Sequence, residues 1–384
     1  MGMEEWKEYK LGEILNFRRG HDLPKSKMIE GDIPVAGSNG VIGYHNEYTP
    51  ISPCITIGRS GNVGTPYIYI YDKCWAHNTV LYIDDYKGNE PKFLYYFLKT
   101  LPLSSFGGGS AVPTLNRNHI HPMIVKFCKD LPTQQKIASI LSSLDDKIEV
   151  NHRINAELEE LAQALFKSWF VDFEPFKDGD FVESELGMIP KGWKVCRLDE
   201  IGDIVGGATP SKSNEDYYTE NGISWITPKD LSINKNKFID KGETDITELG
   251  YSKCSAKMMP KGAVLFSSRA PIGYIAIAKR ELCTNQGFKS IVPKVAGTAF
   301  IYFYLKNNVS NIESMASGST FKEASGSLMK SLKVIFPPID LLQEFEERVS
   351  SMFEKQELLE QETDHLTTLR DTLLPKLMSG EIKV

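Results

Sequence analysis

The fold of this chain is decided by residues 133–170, whose sequence is TQQKIASILSSLDDKIEVNHRINAELEELAQALFKSWF. Apolar residues recur there in steps of three and four, the spacing of a helix that packs along one seam. We expect this seam to contain Ile137, Leu141, Leu144, Ile148, Leu158, Leu161 and Leu165. At about 1.5 Å per residue the segment forms a rod of roughly 60 Å, and such a helix cannot bury its seam alone.

The same helical pattern returns 208 positions later. The matching residues are Gln343, Phe345, Val349, Met352, Leu366, Leu369 and Leu373, which correspond to Gln135, Ile137, Leu141, Leu144, Leu158, Leu161 and Leu165. Two such helices from one chain most simply pack on each other. If the duplication is expressed as a pseudo-twofold axis, the helices run antiparallel and two globular domains lie at their opposite ends.

Polar residues mark the ends and the middle of the predicted helices. Each helix follows a proline signal, and Thr133 and Asp340 are the predicted N-caps. Asn151 and Asn155 fall at seam positions of the first helix. A polar residue in a seam fixes register at some cost in stability, and a pair of them is equally compatible with a local opening or a partner contact.

The segments between the helices also repeat. Trp6, Leu11 and Ile14 recur 187 positions later as Trp193, Leu198 and Ile201. Further along, the stretch Arg59–Gly64 is echoed by Arg269–Gly273, and the pair Cys74 and Asn78 by Cys283 and Asn285. The chain is therefore a tandem duplication.

Each globular half mixes short β-rich runs, such as Thr79–Ile83 and Val264–Ser268, with apolar helical stripes at 92–98 and 300–305. The predicted fold class is α+β: two pseudo-repeated domains of α/β type, joined by two long antiparallel helices that form a coiled coil. The predicted segments are a first domain (1–130), a first long helix (131–173), a linker (174–190), a second domain (191–338), and a second long helix with the C-terminal tail (339–384).

The net charge of −6 is unevenly distributed. Acidic residues are concentrated in the helical segments, whereas the two globular domains carry a small excess of Lys and Arg, which suits domains that approach phosphates; solvated acidic helix faces explain the asymmetry equally well. The sequence contains no apolar run long enough for a membrane helix and begins with acidic residues, so we expect a cytoplasmic protein.

Cysteine and histidine spacing argues against metal and redox chemistry. The six cysteines form no C-x-x-C pair, and we expect all six to be reduced thiols. His119 and His121 lack a second ligand pair at zinc spacing, so we predict no metal site.

Several stretches resemble a known family, the specificity subunits of type I restriction-modification systems. Residues 161–175 resemble the central conserved region of that family, and residues 369–382 resemble its carboxyl-terminal region. Residues 189–201 are similar to the usual opening of its second target-recognition domain, with Asp199 where Gly is commoner. Three shorter stretches are also typical of it: Gly206–Pro210, Arg269–Gly273 and Thr284–Phe288.

The resemblance implies a DNA-recognition subunit without catalytic residues or cofactors of its own. Such a subunit holds two methylation subunits and two restriction and translocation subunits on one asymmetric, bipartite site in double-stranded DNA, away from membranes. The sequence agrees, since it has no G-x-x-x-x-G-K-[ST] phosphate loop, and Phe336-Pro-Pro-Ile lacks the Asn or Asp of an amino-methyltransferase motif.

Two other classes of function remain open at this point. A methyltransferase with built-in recognition domains would need a Gly-rich strand-turn-helix for its cofactor, and none is visible. A coiled-coil scaffold with two ligand-binding domains would show DNA affinity that does not depend on salt.

DNA recognition needs forked donors and acceptors on loops that can enter a groove. The predicted contacts in the first domain are Arg59, Ser60, Asn62, Asn78, Ser110, Thr114, Asn116 and Arg117. The predicted contacts in the second domain are Arg269, Asn285, Gln286, Ser319, Thr320 and Lys322. The competing interpretation of each Gly-Ser-Thr loop is a plain turn. The pair Arg18 and Arg19 fits either phosphate contact or a solvated surface.

Aromatic residues of the helices are the predicted partner contacts. Phe166, Trp169 and Phe170 cluster beyond the seam leucines, where one helix alone cannot bury them. We expect them to bind the methylation subunits, and the alternative is packing against the base of a domain. Trp6 and Trp193 occupy matched positions beside apolar residues and are predicted to be core.

Overall fold

The protein is described here from a computed structural model, which covers residues 6–51, 53–69, 73–107, 114–318 and 322–384. The chain divides into two compact units, Met1–Val150 with Thr363–Val384, and Asn151–Glu362. Both units combine a globular domain of mixed strands and helices with segments of two long helices.

The first domain and its long helix consist of β1 (Trp6–Lys10), α1 (Leu11–Ile14), β2 (Asn16–Arg19), β3 (Ile33–Gly37), β4 (Gly40–His45), β5 (Cys54–Gly58), β6 (Pro66–Tyr69), β7 (Trp75–Ala76), β8 (Val80–Asp85), α2 (Pro91–Lys99), α3 (Arg117–Ile120), β9 (Ile124–Cys128) and α4 (Leu131–Phe170). A hairpin of β10 (Phe181–Ser184) and β11 (Gly187–Pro190) follows.

The second domain and its long helix consist of β12 (Lys194–Arg197), α5 (Leu198–Ile201), β13 (Gly202–Gly206), β14 (Tyr218–Thr219), β15 (Trp225–Ile226), α6 (Pro228–Ile233), β16 (Phe238–Ile239), β17 (Asp245–Ile246), α7 (Glu248–Ser252), β18 (Val264–Ser268), β19 (Ile272–Ala278), β20 (Cys283–Thr284), β21 (Lys289–Pro293), α8 (Thr298–Met315), α9 (Gly326–Ser331), β22 (Lys333–Phe336) and α10 (Ile339–Ser379). Short 3₁₀ turns lie at Lys25–Lys27, Leu103–Phe106, Glu174–Phe176 and Glu215–Tyr217.

The duplication seen in the sequence is present in the sheets. The first domain has a sheet of order β2-β8-β5-β6, and the second has β13-β21-β18-β19 with β16 added at its edge. In both domains the first strand pairs antiparallel with the last, as β1 with β9 and β12 with β22. The short parallel pairs β3 with β7 and β15 with β20 correspond in the same way. The prediction of two repeated domains of mixed helix and strand is confirmed.

Each domain core includes side chains from the long helices. In the first unit Ile137 and Leu141 of α4 and Leu377 of α10 pack with Phe93 and Phe127. In the second unit Phe166 of α4 and Phe345 and Val349 of α10 pack with the aromatic face of α8. The helices are therefore parts of the two domain cores rather than external spacers.

The long helices also contact each other through polar groups. In the first unit Arg370 of α10 donates to Asp145 of α4 at 2.7 Å. In the second unit the Asn151 and Asn155 amides donate to Glu362 at 2.9 Å and to Glu360 at 3.3 Å. Residue numbers fall along one helix as they rise along the other, so the segments within the second unit run antiparallel. Of the three roles open for the two asparagines, these bonds favour the fixing of register.

Two details of the predicted helices are wrong. Leu161 and its repeat-related Leu369 lie outside the seam and are 55% and 37% exposed, because Ala162 takes the buried position beside Leu161. The predicted N-caps are also displaced. Asp130 caps α4, since its carboxylate accepts from the Thr133 N–H at 3.0 Å and from the Thr133 hydroxyl at 2.7 Å. Asp340 lies inside the first turn of α10.

The expectation that all six cysteines are reduced is wrong for one pair. Cys54 at the start of β5 and Cys74 beside β7 are joined by a disulfide, with their Cα atoms 6.3 Å apart. The other four cysteines are free thiols. A separation of twenty residues without a C-x-x-C pattern gave no sequence signal for this pairing, which depends on how β5 and the segment before β7, which belong to two different sheets, come together.

In each domain, a glycine at a matched position allows two backbone segments to cross closely. A Cβ atom at Gly20 would collide with the carbonyl oxygens of Ala76 and His77, and one at Gly207 would collide with those of Thr284 and Asn285. The next residues, His21 and Ala208, donate their N–H groups to this same crossing strand, at 2.7 Å to Ala76 and 3.0 Å to Thr284.

We predict that Gly207→Ala lowers the free energy of unfolding by about 1–3 kcal/mol, because the backbone carbonyls it meets cannot move aside without breaking the crossing. The neighbouring Gly206→Ala is the matched control, since a Cβ atom there meets only the Lys289 Cδ at 3.9 Å. Denaturant unfolding of both variants measures the difference. Equal stabilities would show that the crossing is not a constraint.

Candidate DNA interface

In the first domain two loops that are distant in sequence meet at one cavity. Ser60 and Thr114 form an isolated antiparallel bridge, and the Leu115 N–H donates to the Arg59 carbonyl at 2.7 Å. The cavity has a volume of about 390 Å³. Its lining includes Arg59, Thr114, Asn116 and Arg117 of the predicted set, together with Arg18 and Arg19. The structure thus brings together four of the residues selected from the sequence.

The arginines of this cavity are held mainly by backbone oxygens. Arg59 donates to the Asn78 carbonyl at 3.2 Å, and Arg117 donates to the Phe17 carbonyl at 3.3 Å. Arg19 forms an exposed ion pair with Asp22 at 3.1 Å. A guanidinium has five N–H donors, so each of these bonds leaves most of them available to a ligand.

Three predicted contacts of the first domain have other roles. The Asn78 amide donates to Asp22 and, with Arg19, lowers the pKa of that carboxyl. Asn62 accepts from the Thr65 hydroxyl at 2.8 Å and does not line the cavity. The Asn116 side chain caps α3 by accepting from Asn118 N–H at 3.0 Å. Ser110 lies outside the described residues.

The second domain has a larger cavity, of about 700 Å³, which is lined by other positions of the repeat. It brings together Arg269, Asn285 and Gln286, which the sequence selected from two separate loops. Thr209, Lys212 and Lys229 also line it and were missed. The stretch Gly206–Pro210 was recognised as typical of the family, and that resemblance was the available signal for Thr209.

Side chains fix the loop that carries Asn285 and Gln286. The Asn285 Oδ1 accepts from the Gly287 N–H at 2.8 Å, and Gln286 accepts from the Thr209 hydroxyl. The oxygen of the Asn285 side-chain amide is therefore used to hold its own turn.

The remaining predicted contacts of the second domain are Lys322, Ser319 and Thr320. Lys322 donates to the Glu313 carbonyl at 3.3 Å and does not line the cavity. Ser319 and Thr320 lie outside the described residues.

The sequence alignment of Arg59 with Arg269 is one position out of register. The Arg59 carbonyl accepts from Leu115 N–H at 2.7 Å, and the equivalent bond in the second domain joins the Ser268 carbonyl to Ala324 N–H at 2.9 Å. Arg59 N–H likewise donates to the Thr79 carbonyl just before β8, and Ser268 N–H donates to the Gly287 carbonyl shortly before β21. Arg59 therefore corresponds to Ser268, and Arg269 reaches the second cavity from the next position.

The described residues contain no cluster of three or more His, Cys, Asp or Glu side chains that could hold a metal ion. His121 instead accepts from the Phe17 N–H at 3.1 Å, and burial lowers the pKa of its imidazole. No helix within the described part of the chain is long and apolar enough to cross a membrane.

A family model described as the type I restriction modification DNA specificity domain matches residues 3–160 and again residues 190–368. The two matches cover most of the chain and coincide with its internal repeat. The chain belongs to the family of type I restriction-modification specificity subunits.

Individual relatives agree with this assignment. This specificity subunit is 31% identical over 314 residues to the HindI specificity subunit of Haemophilus influenzae, a match that covers 66% of this chain and 68% of that protein. It is 38% identical over 191 residues to the MjaIX specificity subunit of Methanocaldococcus jannaschii, covering 47% of this chain and 44% of the relative, so this match spans less than half of either protein.

A solved structure shares the fold. The crystal structure of the type I restriction-modification system S subunit from M. genitalium superposes with a TM-score of 0.70, at 16% sequence identity, and covers 98% of this chain and 97% of that one. At this identity the likeness concerns the fold alone.

The aromatic residues predicted to bind methylation subunits are buried in this specificity subunit. Phe166, Trp169 and Phe170 are 3%, 9% and 5% exposed. Phe170 packs edge-to-face on Phe300 and Phe345, with ring centroids 5.1 and 5.0 Å apart. The alternative of packing against the base of a domain is the one that the structure shows, because α8 and α10 supply the aromatic partners. Trp193 belongs to the same cluster, as predicted, and Trp6 is partly buried against the first core.

We therefore predict that Phe170→Ala lowers the free energy of unfolding by about 3–5 kcal/mol, the cost of a large cavity in a packed core. Phe170→Leu should recover most of this loss, because it refills most of the volume. Thermal and denaturant unfolding of the full chain measure both. If Phe170→Ala unfolded like the wild type, the ring would not be part of the core.

Proposed function

We propose that this specificity subunit binds an asymmetric, bipartite site in double-stranded DNA, with one half-site recognised by each domain. The observation that carries this proposal is that each of the two repeated domains has a cavity lined by arginine and by amide or hydroxyl side chains. The two sets of side chains differ, and unlike sets select unlike half-sequences.

The chemistry of the lining residues fits base recognition. Arg donates in bidentate fashion to guanine, and Gln pairs with adenine through its amide, whereas hydroxyls are adaptable. Arg269 and Gln286 supply these groups in the second domain, and Arg59 supplies the guanidinium in the first. Arg59 is half-buried beside more exposed arginines, so it is positioned for a base edge rather than for the outer phosphates.

We further propose that the chain has no catalytic activity of its own and acts with two methylation subunits and two restriction and translocation subunits. The relatives are named as specificity subunits of type I restriction enzymes, which supports a division of labour between recognition and catalysis. The absence of a phosphate loop and of an amino-methyltransferase motif from the sequence points the same way.

The partner surface on the long helices needs exposed apolar residues, and Phe166, Trp169 and Phe170 do not supply them. Leu161 and Leu369 do, since they are repeat-related and exposed. Each begins one of the two stretches that resemble the conserved regions of the family. A leucine at matched positions of two repeats suits two copies of one partner, and we propose these residues as the contacts of the two methylation subunits.

The proposed function makes a prediction about DNA recognition. Arg59→Ala should relax sequence preference in one half-site and Arg269→Ala in the other, and each should cost about 1–3 kcal/mol of binding to the preferred site. Selection of bound duplexes from a random pool, followed by sequencing, measures both halves at once, so each variant is the control for the other. If both variants kept both half-sequences, neither arginine would contact a base.

A separate prediction concerns assembly with the methylation subunits. Leu161→Asp with Leu369→Asp should abolish co-purification of methylation subunits, because a charge in an apolar contact is costly to desolvate. Leu249→Asp, at an equally exposed leucine of the second domain, is the control. The isolated wild-type chain should transfer no methyl group from a labelled donor. Normal assembly of the double variant, or turnover by the chain alone, would contradict the proposal.

A further inference from the structure

The turn that follows the short parallel strand pair has the same construction in both repeats. The His77 N–H donates to a carbonyl of β3 at 3.0 Å, and the Asn285 N–H donates to a carbonyl of β15 at 2.9 Å. Both side chains turn back on their own loop, since the His77 Nδ1 and the Asn285 Oδ1 accept N–H groups two residues further on, at 3.4 and 2.8 Å. Asn78 and Gln286 therefore correspond, and each occupies the middle of a fixed turn.

A second segment of each repeat brings a polar side chain to this turn. Asp22 and Thr209 each lie two residues after the glycine of the matched backbone crossing. Asp22 and Thr209 are 187 residues apart and Asn78 and Gln286 are 208 apart, which are the two offsets of the duplication. The same two positions of the repeat are thus paired in both domains.

The two pairs are hydrogen-bonded with opposite polarity. In the first domain the Asn78 amide nitrogen donates to the Asp22 carboxylate, and in the second domain the Thr209 hydroxyl donates to the Gln286 amide oxygen. Within the described part of the chain, neither the Asn78 amide oxygen nor the Gln286 amide nitrogen makes another hydrogen bond. The bond to Asp22 therefore leaves Asn78 an oxygen and one N–H for a ligand, whereas Gln286 keeps both N–H donors.

The partner of each amide determines how strictly its orientation is fixed. An ionised aspartate has acceptors only, so Asn78 must turn its nitrogen toward Asp22. This hydrogen bond is the main reason why the pKa of Asp22 lies below its ordinary value, so the carboxylate is ionised at neutral pH. Arg19 lies 3.1 Å from the same carboxylate and balances its charge. A hydroxyl both donates and accepts, so Thr209 holds Gln286 less strictly.

Both pairs lie beside an arginine that lines a cavity. In the first domain Arg59 donates to the Asn78 carbonyl at 3.2 Å. In the second domain Gln286 lines the same cavity as Arg269. Gln286 is exposed and the Asp22 side chain is 69% exposed, so a base edge can reach either pair.

The polarity of each pair decides which base edge its amide can meet in the major groove. A free amide pairs with adenine through its oxygen and nitrogen together. Thr209 occupies the oxygen of Gln286, so the N–H groups of Gln286 are left to donate to the keto oxygen of guanine or thymine. Asn78 keeps its oxygen, which can accept from the amino group of adenine or cytosine.

We infer that these matched pairs set the base preference at one position of each half-site. The Asp22–Asn78 pair selects a base with an amino group, and the Thr209–Gln286 pair selects a base with a keto oxygen. This inference rests on the proposed function, because it assumes that each domain faces its own half-site.

The test inverts the polarity of one pair with a single substitution. Thr209→Asp replaces the hydroxyl by a carboxylate, so Gln286 must turn its nitrogen toward it and present its oxygen instead. The full chain, in complex with its methylation subunits, selects duplexes from a random-sequence pool, and the bound duplexes are sequenced. One position of the second half-site should change from guanine or thymine to adenine or cytosine, with a preference of about 10-fold, while the first half-site stays the same.

Two isosteric variants serve as controls. Thr209→Val keeps the shape but has no hydroxyl, so the Gln286 amide can turn either way and the same position should accept both classes of base. Asp22→Asn keeps the shape and removes the charge, so Asn78 is no longer fixed and one position of the first half-site should relax. Thermal unfolding of each variant reports whether the fold is kept, and Asp22→Asn decides the matter if Thr209→Asp does not fold.

The outcomes distinguish this inference from the proposed function. If folded Thr209→Asp and Asp22→Asn variants kept the wild-type base preferences, or lost affinity equally for all sequences, the pairs would only join two loops and the inference would be wrong. The proposed function would still stand in that case. A wild-type complex that selects no sequence from the pool would overturn the proposed function itself.

Discussion

The structure depends on the long helices completing the hydrophobic core of each globular domain. In the second unit Phe166 of α4 and Phe345 of α10 approach to 5.9 Å between ring centroids, and both belong to the cluster that contains Phe300 and Phe303 of α8. In the first unit Leu141 and Leu377 do the same for Phe93 and Phe97. A buried aromatic or aliphatic side chain contributes about 1.5–3 kcal/mol, so neither core is complete without its helix segments. The helices and the domains therefore fold as one structure within each unit.

Polar groups then fix where a domain meets its helices. Glu360 of α10 accepts from the Lys237 N–H at 2.8 Å and from the Phe238 N–H at 3.1 Å, which satisfies the start of edge strand β16. The Lys237 ammonium pairs with Glu159 of α4 and lies 4.0 Å from the Phe353 ring centroid. Burial lowers the pKa of Lys237 to about 8, so the lysine is held at a cost in solvation. Apolar packing alone would tolerate a slipped helix, whereas these bonds do not, because a slip leaves buried donors unpaired.

The sequence was most informative where a physical pattern repeats. The offsets of 187 and 208 residues identified the duplication, and the polar loops around Arg59 and Arg117, both selected as candidate DNA contacts, meet at one cavity. Periodicity could not distinguish Leu161 from its neighbour Ala162, since a helical stripe is more than one residue wide. It also could not assign Phe166, Trp169 and Phe170, because an apolar face has the same sequence whether a domain or a partner covers it.

Residues whose roles depend on local hydrogen bonds were the least predictable. Asn78 and Asn62 have the side chains of base-reading residues, yet their amides bond to Asp22, Thr65 and Tyr67. The sequence match of Arg269 with Arg59 was misleading, because backbone hydrogen bonds, and not side-chain identity, decide which positions of the two repeats correspond. The set of residues predicted for the cavity of the second domain was incomplete. Thr209 and Lys229 were missed because they come from segments that are far in sequence from the selected loops.

The two repeats keep their main-chain contacts, while the side chains that line their cavities differ. Main-chain contacts that recur in both repeats, such as Arg59 O with Leu115 N–H and Ser268 O with Ala324 N–H, use atoms that every residue has. These bonds do not depend on the side chain, so an arginine in one repeat can be a serine in the other without breaking them. The positions that cannot vary are those where the backbone itself needs space, Gly20 and Gly207. A duplicated domain of this kind can therefore change side chains around its cavity while its main-chain crossing stays the same.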